Sequence, residues 1–463
     1  MSIERREKIK PINIETIINA VPPYKEFKTG AELQASSRQL VEDFPELVKS
    51  GFLHLDEEFG TSTEGRNIEL MTVGKGKKKA MWVGTPHPNE VVGTLAIDFL
   101  SRYICENPEI TEQLDTTFVF IKNADPDGLE LNKSWLKGEM DPLKYALGYY
   151  RPAADEQVEY AFPIDYKTLN FTNPLAESQA IMKAFEKYKP HFYYSLHNSG
   201  FRKPYYDISY NAPDLFSSLE QIVTGQGLDL YTGESELPYQ ETYAPGIYQI
   251  PSTKGLYDYY DATSDDDPAH IMRHGARASE YLCENVVPDA FSLASEVPYF
   301  TADAFGDTTL SGISKRDALL KGVKKSQEIV GFMADQFSVL EQKLPNSYFK
   351  RSVAWYITIS NKENASLVEE VKKQKYQEEA TRTDVFHAVQ LESFYRAIWL
   401  GEVYQLALQA GEIKRAEEIK AYIEKVIDDI NEVSPIKSVP LQKLVAIQVG
   451  AGLVVQQQLA LAA

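Results

Sequence analysis

The stretch KAMWVGTPHPNEVVGTLAIDF (residues 79–99) decides the fold, because three kinds of local structure meet in it. Its first six residues form an apolar, β-rich run. From Val92 onward the apolar side chains Val92, Leu95, Ala96, Phe99 and Tyr103 recur at helical spacing. A second β-rich run, TTFVFI (116–121), follows, so the segment reads as a β-loop-α-β unit. The loop itself, His87-Pro88-Asn89-Glu90, puts an imidazole and a carboxylate three residues apart just past the end of a strand, where α/β proteins keep their chemistry. Two readings stand side by side: half of a metal site, or a polar turn in which Asn89 caps the helix. An isolated HxxE decides nothing.

Working outward, HFYYSL (191–196) and AFSLAS (290–295) are further strand candidates, and alternating strands and helices mark residues 1–310 as an α/β domain. From residue 311 to 463 the texture becomes long amphipathic helices. Ile329, Phe332, Met333, Gln336, Phe337 and Leu340 form one stripe, and Ile413, Ala416, Ile419, Ile423, Val426, Ile427 and Ile430 another. This predicts an all-helical C-terminal region. GKGKKK (74–79) reads as a solvated hairpin turn.

The 463 residues exceed the usual size of one domain, and 43% hydrophobic with 25% charged residues is the composition of a globular protein. A formal net charge of −19 argues against nucleic acid or anionic lipid as a partner, since both reward clustered lysine and arginine. Cys105 and Cys283 are the two cysteines, which allow one bridge at most and exclude a disulfide framework. The N-terminal MSIERREKIKPINIE has no apolar core of signal-peptide length, so a cytoplasmic location is expected. LVAIQVGAGLVV (444–455) is shorter than the roughly 20 apolar residues needed to span a bilayer. It is expected to be a buried helix, with no membrane partner, and the helical region offers a surface for homo-oligomerisation.

Seven histidines occur, at 54, 87, 191, 197, 270, 274 and 387. A catalytic zinc site takes three protein ligands and leaves a position open. His87 and Glu90 form a close pair, and His197 ends the β-run HFYYSLHNSG, where a strand tip aims it toward the same cleft.

Ordered motifs extend this pattern. GTSTEGRNIELMTVG (60–74), HPNE (87–90), NADPDGLELNKSW (123–135), TLNFTNPLAESQA (168–180), SLHNSG (195–200), GIYQIPSTKGLYDYY (246–260) and FSLASEVPYF (291–300) occur in the order found in the zinc metallocarboxypeptidases. On these segments the chain resembles a divergent member of that family, of the carboxypeptidase A type. The resemblance implies a mixed central β-sheet flanked by helices and one Zn²⁺ per chain held by His87, Glu90 and His197. It implies hydrolysis of a peptide or peptide-like amide, with Glu296 as the general base for a metal-activated water and with Tyr248 and Asn170 contacting substrate.

The sequence also departs from the family. Leu136 follows Trp135 where relatives carry an oxyanion-stabilising arginine, leaving Lys133, Lys137 or Arg151 to substitute. Asn170-Phe171 replaces the Asn-Arg pair that grips a C-terminal carboxylate, and a phenyl ring cannot stand in for a bidentate arginine. Arg202 or Lys203 is the expected replacement. Thr168 stands where relatives have a histidine-orienting aspartate, with Asp165 upstream as substitute. These losses raise two alternatives: a peptide-binding or scaffold relative without hydrolase activity, and a zinc amidohydrolase or endopeptidase whose substrate lacks a free C-terminal carboxylate. HIMRHGARAS (270–279) is similar to the phosphohistidine signature of histidine acid phosphatases, but the aspartates of the preceding SDDDP would repel a phosphate.

Overall fold

A computed structural model describes residues 11–462; the first ten residues, read above for targeting, lie outside the described part. The central sheet has ten strands: β1 (Leu53–Thr61), β2 (Asn67–Val73), β3 (Lys78–Val83), β4 (Thr116–Ile121), β5 (Phe192–Phe201), β6 (Tyr205–Ile208), β7 (Thr242–Ala244), β8 (Ile247–Gln249), β9 (Phe291–Thr301) and β10 (Lys437–Ser438). Their order is β1-β2-β4-β3-β5-β9-β6-β8-β7, with β10 on the end of β9. β4, β3, β5 and β9 run parallel, while β2 on one side and β6 on the other are antiparallel to their neighbours. The sheet is therefore mixed, as expected.

Every residue of β4 and β5 is buried, which is why these strands read as continuous apolar runs without alternation. Successive side chains still serve opposite layers. Ala80 and Trp82 join the core under the helices α1 (Val92–Glu106) and α8 (Leu441–Ala462), while Met81 and Val83 join the core under α2 (Ala176–Tyr188) and α3 (Ala278–Asn285). Burying side chains of this size contributes about 1.5–3 kcal/mol each, so the parallel centre is the most strongly held part of the domain.

The two predicted stripes are helices: α4 (Lys315–Glu341) and α7 (Ile413–Val433), joined by α5 (Tyr348–Glu370) and α6 (Glu392–Gln409). α6 lies at the middle of this bundle and rests on the short helix Pro142–Gly148 of the sheet domain. The last helix, α8, leaves the bundle and returns to the sheet, packing on α1 and β9. By length and composition it is apolar enough to cross a membrane, and 72% of its apolar window is buried here.

Candidate active site

The chain reaches the site by two routes. The turn carrying His87 and Glu90 follows β3 and opens with Thr85 at φ 49°, a left-handed conformation that costs a non-glycine residue energy. The Thr85 hydroxyl holds it there: it accepts from the Ala124 amide (2.9 Å) and has its single proton between two acceptors, Asn123 Oδ1 (2.6 Å) and the Gly84 carbonyl (2.8 Å). Gly93 then lets α1 press onto β5, since a Cβ there would lie 2.6 Å from that of Leu196. This brings the turn beside His197, which stands on β5 directly opposite Glu296 of β9 in a parallel register.

Asn89 does not cap α1. The N-cap is Val91, without a side-chain bond, and the first amides are satisfied across the chain: Val91 N–H donates to the Tyr299 hydroxyl (2.8 Å) and Val92 N–H to Asn198 Oδ1 (3.1 Å). The turn is thus tied to the two strands bearing His197 and Glu296, and Asn89 lines the cavity between them.

His87, Glu90 and His197 are all buried and offer ligand atoms within 4.8 Å of one another, an arrangement that could hold a metal ion. Two imidazoles and one carboxylate suit Zn²⁺. The geometry passes a second test: Nδ1 of buried His87 has no hydrogen-bond partner, leaving an unmet need that a cation would fill. Burial, then nearby Arg151, pushes His87 down to about 4, so the ring is neutral. Burial opposes ionisation of Glu90, but His87, Arg151 and His197 outweigh it and hold the carboxyl at about 2. Both are in the protonation state that metal binding requires.

Around these three the polar atoms are cross-tied. Glu90 Oε1 accepts from Arg151 Nη1 (2.6 Å), while Oε2 accepts from the Asn198 amide (3.1 Å) and lies 2.8 Å from His197 Nδ1. Glu159 serves both imidazoles from behind: its carboxylate is 3.0 Å from His197 Nε2 and 3.3 Å from His87 Nε2, and Ser195 donates to it at 2.7 Å. Such a partner fixes ring orientation and raises ligand basicity. Burial disfavours the His197 cation, but Glu159 and Glu90 prevail and raise its pKa well above the ordinary value. Glu296 lies 3.7 Å from His197 Nδ1, and burial, reinforced by Glu90, Glu236 and Asp207, raises its carboxyl well above the usual range.

These groups line a cavity of about 270 Å³. The far wall carries Arg202, Arg277, Asp207 and Glu236, and the helical bundle contributes Tyr395 and Ile398 from α6. The Tyr395 hydroxyl donates to the Ser199 carbonyl (2.6 Å), and the buried Glu402 of the same helix accepts from the Arg151 amide (3.1 Å).

The structure thus brings His87, Glu90, His197 and Glu296 together. It does not bring Asn170 or Tyr248 to them. Asn170 is exposed on the small hairpin Ile164–Tyr166/Leu169–Phe171 and donates to Asp165 (3.2 Å). Tyr248 is buried in a cluster with Tyr205 and Tyr231, and its hydroxyl donates to the Gly233 carbonyl (2.8 Å), so it is committed to the fold. Of the substitute cations, Arg151 and Arg202 line the cavity, whereas Lys133 pairs with Glu130, Lys137 with Glu32 and Lys203 with Asp229. Asp165 does not orient a histidine, and the Thr168 hydroxyl donates to Asp267. That task falls to Glu159, an acid in an irregular segment with no sequence signal that could have singled it out.

Residues 34–158 match the family model described as Peptidase_M14, zinc carboxypeptidase, a segment that includes His87 and Glu90. Over this segment, about a quarter of its length, the chain is similar to the zinc carboxypeptidases. A comparison with curated protein sequences returned no match. Among solved structures, a metallo-carboxypeptidase from Burkholderia cenocepacia aligns at 13% identity over 59% of this chain and 60% of its own length, with TM-score 0.35. Carboxypeptidase A from Helicoverpa armigera aligns at 14% identity over 75% of each chain, TM-score 0.36. Bovine thrombin-activatable fibrinolysis inhibitor, in complex with tick carboxypeptidase inhibitor, aligns at 10% identity over 58% of this chain and 86% of its own, TM-score 0.35.

Proposed function

We propose that the protein is a zinc-dependent peptidase that hydrolyses a peptide or peptide-like amide bond by carboxypeptidase-type chemistry. The observation that carries this reading is the placement of Glu296: a carboxyl group 3.7 Å from a ring nitrogen of His197, in the same cavity as His87 and Glu90. His87, Glu90 and His197 would hold the ion. Zn²⁺, when bound, supplies a Lewis acid that polarises the scissile carbonyl and acidifies water.

The remaining chemistry belongs to the chain. Glu296 accepts the proton of the attacking water and passes it to the leaving amine nitrogen, a transfer worth about 10²- to 10⁴-fold in rate. Its raised pKa suits a group that must give the proton back. A cation bound beside His197 would lower that pKa by direct repulsion of the proton, setting Glu296 to act as base. Arg151 keeps Glu90 ionised and lines the cavity, where its guanidinium is the cation nearest the ligands for an oxyanion.

Elemental analysis of purified protein tests the first half of the reading, with one zinc per chain expected. Hydrolysis of blocked dipeptides tests the second half: the Glu296→Gln protein should keep its zinc and lose turnover. A chain that takes up no zinc at neutral pH defeats the proposal, and zinc uptake without hydrolysis of any amide would favour a binding protein.

A further inference from the structure

Three guanidinium groups line the cavity, and they differ in one respect. Arg151 pairs with Glu90 at 2.6 Å and Arg202 with Glu236 at 3.4 Å. Arg277 makes no ion pair with any carboxylate among the described residues. Its guanidinium lies over the Tyr160 ring, 4.5 Å from the centroid, and its shielded Nε has no hydrogen-bond partner. A cation held against an aromatic face with an unmet donor costs stability unless something else supplies the acceptor. The ring fixes the plane of the guanidinium, which preorganises its edge for a planar partner.

We propose that Arg277 binds a carboxylate of the substrate residue seated in the cavity. This rests on the hydrolase reading of the same site and adds to it the group that recognises the substrate. Three features favour a monoanionic carboxylate over a larger or more highly charged anion. One unpaired guanidinium neutralises one charge. Glu159, Glu236, Glu296 and Asp207 line the same space and would repel a dianion. A cavity of about 270 Å³ has room for about one amino-acid residue, which carries a single carboxylate in most cases. Arg277 also stands on a different element from the position where relatives keep their arginine: it precedes α3, whereas Phe171 closes the exposed hairpin. The anchor has moved across the fold.

Binding is measured by calorimetry on the zinc-loaded protein with N-acetylglycylleucine, its C-terminal amide, and N-acetylglycylglutamic acid α-amide. The first offers a main-chain carboxylate, the last a side-chain carboxylate, and the simple amide neither. At least one of the two acids should bind tighter than the simple amide by about 10- to 100-fold, the range of a charge-assisted hydrogen-bonded pair. In Arg277→Gln that preference should vanish while binding of the amide stays unchanged, and Arg277→Lys should retain part of it. A melting temperature no lower than that of the wild type and an unchanged zinc content show that the variants are folded. A wild-type protein that binds both acids no better than the amide, or a Gln variant that keeps the preference, overturns the proposal. Hydrolysis followed in the same samples separates the two readings: an Arg277-dependent preference for acid without cleavage leaves the anchor standing and removes the peptidase.

Discussion

The two walls of the cavity are built on opposite plans. On the wall formed by β3, β5 and the Glu159 segment, most polar atoms are bonded to one another, with His87 Nδ1 and Asn89 Oδ1 as the exceptions: Glu90 to Arg151 and Asn198, His197 to Glu90 and Glu159, and Glu159 to Ser195. On the wall formed by the far end of β5, β6 and the approach to α3, buried polar atoms are left without partners: Arg277 Nε, Arg202 Nε, Asp207 Oδ1 and Ser199 Oγ. A satisfied network holds a fixed geometry, which an ion demands. An unsatisfied surface is stabilised only by what binds to it. On the proposed function, the contrast separates the half of the site that folding completes from the half that substrate would complete.

Removing a ligand should have the largest effect. His197→Ala or Glu90→Gln is expected to abolish zinc uptake, read by elemental analysis, and all turnover with it; retained stoichiometric zinc would mean that the bonded wall is not the metal wall. Glu296→Gln should leave zinc in place and lower kcat by about 10²- to 10⁴-fold. If it instead loses metal, Glu296 belongs to the holding half and the division is drawn in the wrong place.

The support beneath the turn is testable through pH. Asp125 caps the helix Pro126–Leu131, against which Pro88 packs, and burial raises its carboxyl to about 7. A carboxyl with a raised folded pKa carries an extra proton in the native state between its unfolded value near 4 and about 7, so wild-type stability falls across that window. Asp125→Asn retains a side-chain oxygen to accept from the Gly128 amide and removes the titration. The stability of Asp125→Asn relative to wild type should therefore improve by about 3 kcal/mol between pH 4.5 and 8, measured by urea unfolding. No change in the difference would show that Asp125 is not the group responsible.

Glu159→Gln should weaken zinc binding by about 10- to 100-fold without abolishing it, since it orients ligands and does not itself bind the ion. The smallest effect belongs to the contribution from the bundle. Tyr395→Phe removes one hydrogen bond to the Ser199 carbonyl and should cost about 0.5–1.5 kcal/mol of stability. A shift in substrate affinity beyond that would make α6 part of the recognition wall.

What could be read from the chain follows the same division. His87, Glu90, His197 and Glu296 sit at the ends of apolar runs, so the strands that position them announce them, and β-register does the rest. Recognition residues sit in irregular segments, where spacing carries no geometry. Glu159 lies within the short 3₁₀ turn Val158–Tyr160, and nothing in its neighbours marks it as the partner of two imidazoles. Position in a motif assigns Asn170 and Tyr248 to the site, but hairpin pairing turns the first to solvent and a tyrosine cluster holds the second. Arg277 was visible only inside a segment similar to a phosphatase signature, and its role depends on a missing carboxylate, which a sequence cannot display. The fate of α8 was equally hidden. Its apolar run marks a buried helix, while its return to the sheet follows from Trp82 and Gly452 packing together.

That return links the two ends of the chain's history. The amide of Gln448, on α8, donates to the main-chain carbonyl of His197 at 2.9 Å, although it is added 251 residues later. During synthesis, β3, β5 and β9 therefore emerge from the ribosome before the helix that braces His197 exists. A nascent chain paused before residue 441 would present His197 without this brace, so the proposed metal site would gain its full support only once α8 has been made.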